Sequence, residues 1–476
     1  MPLALPRPTE TAPRARRRNL SQGRATVPVM SERGYACLDC GYQAPRWFGR
    51  CPDCGAWGGA AAPQDVDGAP VVGTLGSAGE PPERLACRVS ELDRVLGGGL
   101  VPGAAVLIAG EPGIGKSTLV LQMLDGLRAS GRRALLATGE ESLSQVTLRA
   151  RRLGVAGQDI RAVATTSIDA VVAAARSERA DVLVIDSVQT LTGGGAEGRA
   201  GSVTQVRECA ATLVRFAKET GTVVVAVGHV TKEGGVAGPK TLEHVVDVVL
   251  MLEGERSGAL RLLRATKNRF GSCDETGVFT MTEVSLEPVP DPSAMLLADR
   301  RPGAAGSVVF CGLEGNRPVL VEIQALVCPT TLPQPRRVAI GVDARRLTLL
   351  TGVLSQRAHL ALGQHDVFVA AAGGLGVREP AADLAIALAL FSAARDIAID
   401  PGVVAVGEVG LAGEVRRVPG MQRRLAEAAR LCFSHAVVSP SVEVPQQLTG
   451  IGVAAVSDAF ELVPQRSAQV HLDRPA

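Results

Sequence analysis

No apolar run in this sequence reaches the roughly 18 residues that a membrane-spanning helix needs. The nearest, Leu384 to Ala394, is short and sits between Asp383 and Arg395, so no membrane partner is expected. Aromatic residues are scarce, at 3%, and both tryptophans and both tyrosines fall between Tyr35 and Trp57. A large excess of either charge is also missing. The net charge is +2, which excludes a chain that is basic throughout and leaves nucleic-acid binding to a local patch. Lysine is rare too: five of the 50 basic residues are lysines, all between Lys116 and Lys267, and none follows. Chemistry that needs a lysine is therefore confined to the middle of the chain. The first 29 residues have no apolar core of a secretory signal. Arg14, Arg16, Arg17 and Arg18 allow a basic arm or a transit-like segment, and the preferred reading is a disordered extension ahead of a natural start at Met30.

What is present points to several domains. A chain of 476 residues is too long for one core, and 46% hydrophobic content is ordinary for a soluble α/β protein. Four of the ten cysteines cluster near the start and six are scattered, a usage that argues for a reducing cytoplasm rather than a disulfide scaffold. The clustered four, Cys37, Cys40, Cys51 and Cys54, have the pattern C-x₂-C-x₁₀-C-x₂-C. Each pair supplies two corners of a tetrahedron, as a closed Zn²⁺ site requires, with iron the less favoured occupant that the spacing also allows, and so short a segment depends on the metal to fold. Tyr35, Tyr42, Trp47, Phe48 and Trp57 crowd it, either covering the metal site or stacking on bases.

The chain is organised around Gly110 to Ser117, GEPGIGKS, which fits G-x-x-x-x-G-K-[ST]. An apolar strand-like run precedes it and a helical pattern follows. The residues expected around an ATP phosphate are Gly110, Glu111, Pro112, Gly113, Ile114, Gly115, Lys116, Ser117 and Thr118. Gly113 and Gly115 let backbone N–H groups converge on a phosphate. Lys116 reaches the β- and γ-phosphates, and the Ser117 hydroxyl is a Mg²⁺ ligand. Strand-length apolar runs recur at Val106–Ala109, Ala134–Ala137, Val182–Ile185, Val223–Val227, Val245–Leu252 and Leu260–Leu263, which predicts a mostly parallel sheet. The third run ends in Asp186, placed to hold the Mg²⁺ shell opposite Ser117. Glu140 and Glu141 follow the second, where a carboxylate can orient or deprotonate a water. Two glycine-rich loops, Gly193–Ser202 and Glu233–Gly238, leave the same sheet edge, the second flanked by His229, Lys232 and Lys240. They read as ligand-ordered loops, for a DNA strand for example, or as plain connections. Lys267 and Arg269 end the last apolar strand pair, either as trans-acting cations or as a solvated basic turn.

The order of four-cysteine finger, GEPGIGKST, TGEES, VIDSVQT, GHVTKEG and KNRFG resembles the RadA (Sms) family of bacterial DNA repair proteins. That family is related to the RecA recombinase and to replicative hexameric helicases. The resemblance covers roughly residues 31 to 465. It implies that Glu140, rather than Glu141, is the catalytic glutamate, and that His229 lies near a γ-phosphate sensor. It implies that the two loops bind DNA, with Lys232 and Lys240 as contacts, and that Lys267 and Arg269 reach across a subunit interface. It further implies a hexameric ring that uses ATP, Mg²⁺ and Zn²⁺, binds single-stranded and branched DNA, drives branch migration of strand-exchange products, and works with RecA-type recombinase filaments.

The expected fold class is α/β. A disordered extension (1–30), a zinc finger (31–58) and a linker (59–83) precede a RecA-like ATPase domain (84–287). A second linker (288–300), an α+β domain (301–465) and a tail (466–476) follow. In the family this last domain resembles the proteolytic domain of Lon. Strands are expected around the Glu314–Arg317 turn, helices at Leu347–Leu362 and Ala381–Ala394, and a hairpin at Val403–Val418. Lon-type chemistry needs a serine nucleophile and a lysine base. Ala381 stands at the serine position, and the lysine position falls within Gln422 to Arg424, where no lysine occurs. Arginine stays protonated and cannot replace it. The domain reads as an assembly scaffold, with Arg336, Arg337, Arg345, Arg346 and Arg357 as a phosphate-contacting face or a solvated surface.

Overall fold

The structure is a computed structural model. It describes residues 35–37, 43–44, 50, 52, 54, 60–61, 82–155, 160–193, 199–229, 242–254 and 260–461. The chain divides into two compact units, Met1–Glu80 and Pro81–Ala476.

In the first unit β1 (Tyr35–Cys37) pairs antiparallel with β2 (Gln43–Ala44) and with β3 (Ala60–Ala61). Of the four cysteine side chains only that of Cys54 is among the described residues, and it is exposed. The ligand set expected at Cys37, Cys40 and Cys51 lies outside them.

The second unit begins with a lobe built on one nine-stranded sheet. Its elements are α1 (Ser90–Leu96), β4 (Ala105–Gly110), α2 (Lys116–Ala129), β5 (Ala134–Thr138), α3 (Leu143–Arg152), β6 (Arg161–Ala164), α4 (Ile168–Ser177), β7 (Val182–Asp186), α5 (Val203–Thr220), β8 (Val223–His229), β9 (Val248–Glu253), β10 (Leu260–Asn268), β11 (Thr276–Met281) and β12 (Leu286–Pro288). The strand order is β12-β11-β10-β9-β4-β8-β7-β5-β6. The six strands from β9 to β6 run parallel, and β10, β11 and β12 add antiparallel. Helices cover both faces, so β4 is buried at every residue; this is why it reads as an unbroken apolar run rather than an alternating one. The six expected strands are β4, β5, β7, β8, β9 and β10, although Val245 to Asp247 form a turn and β9 starts at Val248. The sequence did not signal β6, because it is an exposed edge strand.

A second lobe follows: α6 (Pro292–Leu297), β13 (Ser307–Glu314), β14 (Arg317–Pro329), β15 (Arg337–Ile340), α7 (Ala344–Arg357), β16 (His365–Ala371), α8 (Asp383–Arg395), β17 (Val403–Ala405), β18 (Glu408–Val409), β19 (Val415–Arg416), α9 (Met421–Arg430), β20 (His435–Val438) and β21 (Thr449–Gly452). Its seven-stranded sheet has the order β15-β16-β14-β13-β17-β20-β21, with α8 buried along nearly its whole length. Three expectations are corrected. Val403–Val418 is not one hairpin. Its first strand, β17, joins the large sheet between β13 and β20, and only β18 and β19 pair with each other. The helix expected to Leu362 ends at Arg357. Residues 288–300, expected as a linker, carry α6, whose Ser293 and Leu296 are buried.

The tip of the β13–β14 hairpin joins the two lobes. Gly315 adopts φ 63°, and a Cβ there would stand 2.1 Å from the Asp274 carbonyl oxygen, so only glycine fits. The Asn316 N–H donates to that oxygen at 2.5 Å. Arg264 pairs with Glu314, and Arg317 reaches Glu91 on α1.

Candidate nucleotide site

Parallel strands bring their C-terminal ends to one sheet edge, where open α/β folds bind ligands. Here β4, β8, β7 and β5 are consecutive neighbours. The phosphate-loop residues follow β4, Glu140 follows β5, Asp186 ends β7 and His229 ends β8. Residues far apart in sequence thus share one crevice.

The loop fits a bound phosphate. Gly113 (φ 79°) and Gly115 (φ 117°) are both left-handed, and a Cβ on Gly113 would meet nothing within 4 Å, so the mouth of the cradle is open. Lys116 is only 4% exposed. Its ammonium donates to the carbonyls of Gly110 at 2.9 Å and Glu111 at 3.0 Å and so spans the loop. Burial pulls its pKa below the ordinary lysine range, against Asp186 and Glu140, which push it up. Ser117 and Asp186 line one small cleft with Thr138 and Glu141, whose side-chain oxygens are of the kind Mg²⁺ takes, and Arg149 lines the same cleft through its pair with Glu141.

The two glutamates differ. Glu141 is tied to Arg149. Glu140 is half-exposed; its Oε1 accepts from the Ser187 hydroxyl at 2.5 Å and lies 3.5 Å from His229 Nε2. Sequence reasoning passed over Ser187. Its one signal was a hydroxyl directly after the strand-terminal Asp186.

Lys267 and Arg269 fold back onto their own chain. Lys267 donates to the carbonyls of Glu243 at 2.6 Å and Val246 at 2.8 Å, and Arg269 pairs with Asp247 at 3.2 Å. Asp247 also accepts from Lys218 at 2.8 Å and from the Ala105 N–H at 3.0 Å. Burial drives the Asp247 pKa up, but Lys218, the Ala105 N–H and Arg269 outweigh it and hold the carboxyl below the usual range. Lys232 and Lys240 lie outside the described residues.

In the second lobe Ala381 is buried, and Arg424, 2% exposed, pairs with Glu379 and donates to the Cys311 carbonyl at 2.7 Å. Of the five arginines expected on one face, Arg337 is spent on the carbonyls of Arg336, Leu362 and His365, and Arg346 on Asp383 and Val409. Arg336, Arg345 and Arg357 are exposed. The patch is therefore smaller than its sequence count. Among the described residues no helix is long and apolar enough to cross a membrane.

Residues 78–235 match a family model described as an AAA domain, and residues 35–59 match one described as a rubredoxin metal binding domain. Proteins named DNA repair protein RadA are similar over most of their length. The one from Pseudomonas aeruginosa is 46% identical over 448 residues, 90% of this chain and 98% of its own. Those from Escherichia coli and Halalkalibacterium halodurans are 44% and 42% identical, again over 90% of this chain and 98% of theirs. With a RecA-like α/β core around a complete phosphate loop, and identity at this level across nearly the whole length, the chain belongs to the RadA family of DNA repair proteins.

Proposed function

We propose that the protein is a DNA-dependent ATPase that acts in DNA repair as a homohexameric ring in the cytoplasm. In this reading it binds single-stranded and branched DNA and promotes branch migration of strand-exchange products made by RecA-type filaments. The observation that carries the reading is the convergence of Lys116, Ser117, Asp186, Glu140 and His229 at one sheet edge. The two glycine-rich loops begin from that edge, after Thr192 and after His229.

The roles follow from the chemistry. Lys116 leaves the Gly110 and Glu111 carbonyls for the β- and γ-phosphates, and the loop N–H groups hold the phosphate chain. Mg²⁺, held by Ser117 and Asp186, would neutralise charge on the phosphates. Glu140 accepts the proton of the attacking water, and His229 sits beside it to register the γ-phosphate. Lys267 and Arg269 stabilise the transition state in the neighbouring subunit, which requires them to leave Val246 and Asp247. The Cys37, Cys40, Cys51 and Cys54 thiolates hold Zn²⁺, a reading supported by the metal-binding family match. The second lobe assembles the ring and has no protease activity: the serine position holds Ala381, and Arg424 is a fixed cation committed to Glu379.

The deciding measurement is steady-state ATP hydrolysis with and without single-stranded DNA. Stimulation by DNA is expected; a rate indifferent to DNA would count against a DNA motor. Lys267→Ala carries a separate prediction. In mixed rings it should stop ATP-driven DNA movement while nucleotide binding at wild-type neighbours persists. Unchanged movement would remove the trans role.

A further inference from the structure

Ser187 is completely buried at 0% exposure and is not part of the phosphate chemistry described above. Its hydroxyl donates to Glu140 Oε1 at 2.5 Å. A hydrogen bond to a carboxylate is charge-assisted and directional, so it fixes the orientation of its acceptor. The surrounding backbone leaves Ser187 little freedom. The Gly139 N–H donates to the Asp186 carbonyl at 3.1 Å, and the Thr190 hydroxyl donates to the Ser187 carbonyl at 2.7 Å. Gly139 is packed so closely on Thr190 that a Cβ there would stand 2.1 Å from its Oγ1. The end of β5 and the end of β7 are therefore clamped together, with the Ser187 hydroxyl aimed at Glu140.

Both contacts to the carboxylate, from Ser187 and from His229, fall on Oε1. No hydrogen bond to Oε2 is found among the described residues. One oxygen is held, and the other is available to a water. Ser187 opens the segment that leads into the first glycine-rich loop, and His229 closes β8 just before the second. The orientation of Glu140 thus depends on residues at the root of each loop.

We infer that Ser187 is the positioning residue for hydrolysis: its hydroxyl holds Oε1 of Glu140 so that Oε2 faces the attacking water. This rests on the ATPase reading with Glu140 as the base. Ser187 acts only through Glu140, so its effect should disappear when the carboxylate is removed.

The test measures kcat and KM for ATP in the full-length protein with single-stranded DNA. It compares wild type, Ser187→Ala, Glu140→Gln and the double variant, with the thermal midpoint of each as a check on folding. Ser187→Ala should lower kcat about tenfold or more, the scale of a misaimed catalytic group, and leave KM within about twofold. The double variant should be no slower than Glu140→Gln alone. An unchanged kcat in Ser187→Ala overturns the inference. So does a loss that persists in full on the Glu140→Gln background, or one that tracks a lowered thermal midpoint. If wild type does not hydrolyse ATP, the ATPase reading fails and this one fails with it. If wild type is active and Ser187→Ala matches it, only this one fails.

Discussion

Lys116→Ala should lose ATP hydrolysis, with and without DNA, by a factor on the order of 10²–10³ or more in kcat, the scale seen when one preorganised electrostatic donor is deleted. The lysine is buried, its ammonium already sits between the Gly110 and Glu111 carbonyls, and it lies in the field of Asp186 and Glu140. No other described lysine is placed in the loop. Lys218 is on α5 and tied to Asp247, and Lys267, on β10, is held by the backbone carbonyls of Glu243 and Val246. Charge that develops on the γ-phosphate therefore has no substitute cation from the loop itself. The backbone N–H cradle is untouched, so nucleotide binding should weaken far less than turnover. Steady-state kinetics together with equilibrium nucleotide titration separate the two. A variant that keeps turning over ATP at the wild-type rate would show that the hydrolytic site lies elsewhere.

Arg317→Leu should lower stability by about 3–5 kcal/mol, the usual consequence of leaving one partner of a buried ion pair uncompensated. Glu91 is 1% exposed and Arg317 7%. The guanidinium also donates to the carbonyls of Thr276 at 3.2 Å, Val289 at 3.2 Å and Pro290 at 2.9 Å. Its removal strands a buried carboxylate and three backbone acceptors at once. Glu91 keeps the Val278 N–H at 2.8 Å and a longer contact with Arg94 at 3.4 Å, which offset only part of the loss. The double variant Glu91→Leu/Arg317→Leu should be less destabilised than Arg317→Leu alone, because no charge is left stranded. Arg430→Ala is the contrast. Its partners Asp291 and Glu427 are at a partly exposed site, and about 1 kcal/mol or less is expected. Denaturant midpoints measured on all four proteins check the ranking. Equal effects for Arg317→Leu and Arg430→Ala would mean the lobe junction is not held by the buried pair.

Much of the nucleotide site was legible because its signals are local. A phosphate cradle needs glycines, a lysine and a hydroxyl within one turn between a strand and a helix, and GEPGIGKS supplies them contiguously. Asp186 was legible because a strand buried on both faces must end in something polar at the ligand edge. The two faces of the parallel sheet are covered, so β4, β5, β7 and β8 appear as plain apolar runs. The exposed edge strand β6 carries no such mark. In the second lobe, local pattern placed strands at Val403 and Val415 but could not tell that β17 pairs with β13 and β20 rather than with its nearest neighbour.

What the sequence by itself determined is which chemical groups are present and at what spacing: the phosphate-loop pattern, a carboxylate ending a buried strand, the four-cysteine spacing, the missing lysine of the second lobe, and the resemblance that the comparisons bear out. Only the tertiary structure decided which groups meet. Ser187 reaches Glu140 across 47 residues, and Arg317 reaches Glu91 across 226. Lys267 and Arg269 turn back onto Glu243, Val246 and Asp247. The physical reason is the same in each case. A motif is read along the chain because backbone geometry joins its parts, whereas a hydrogen bond between distant side chains exists only where strand order, register and packing have brought the two backbones together.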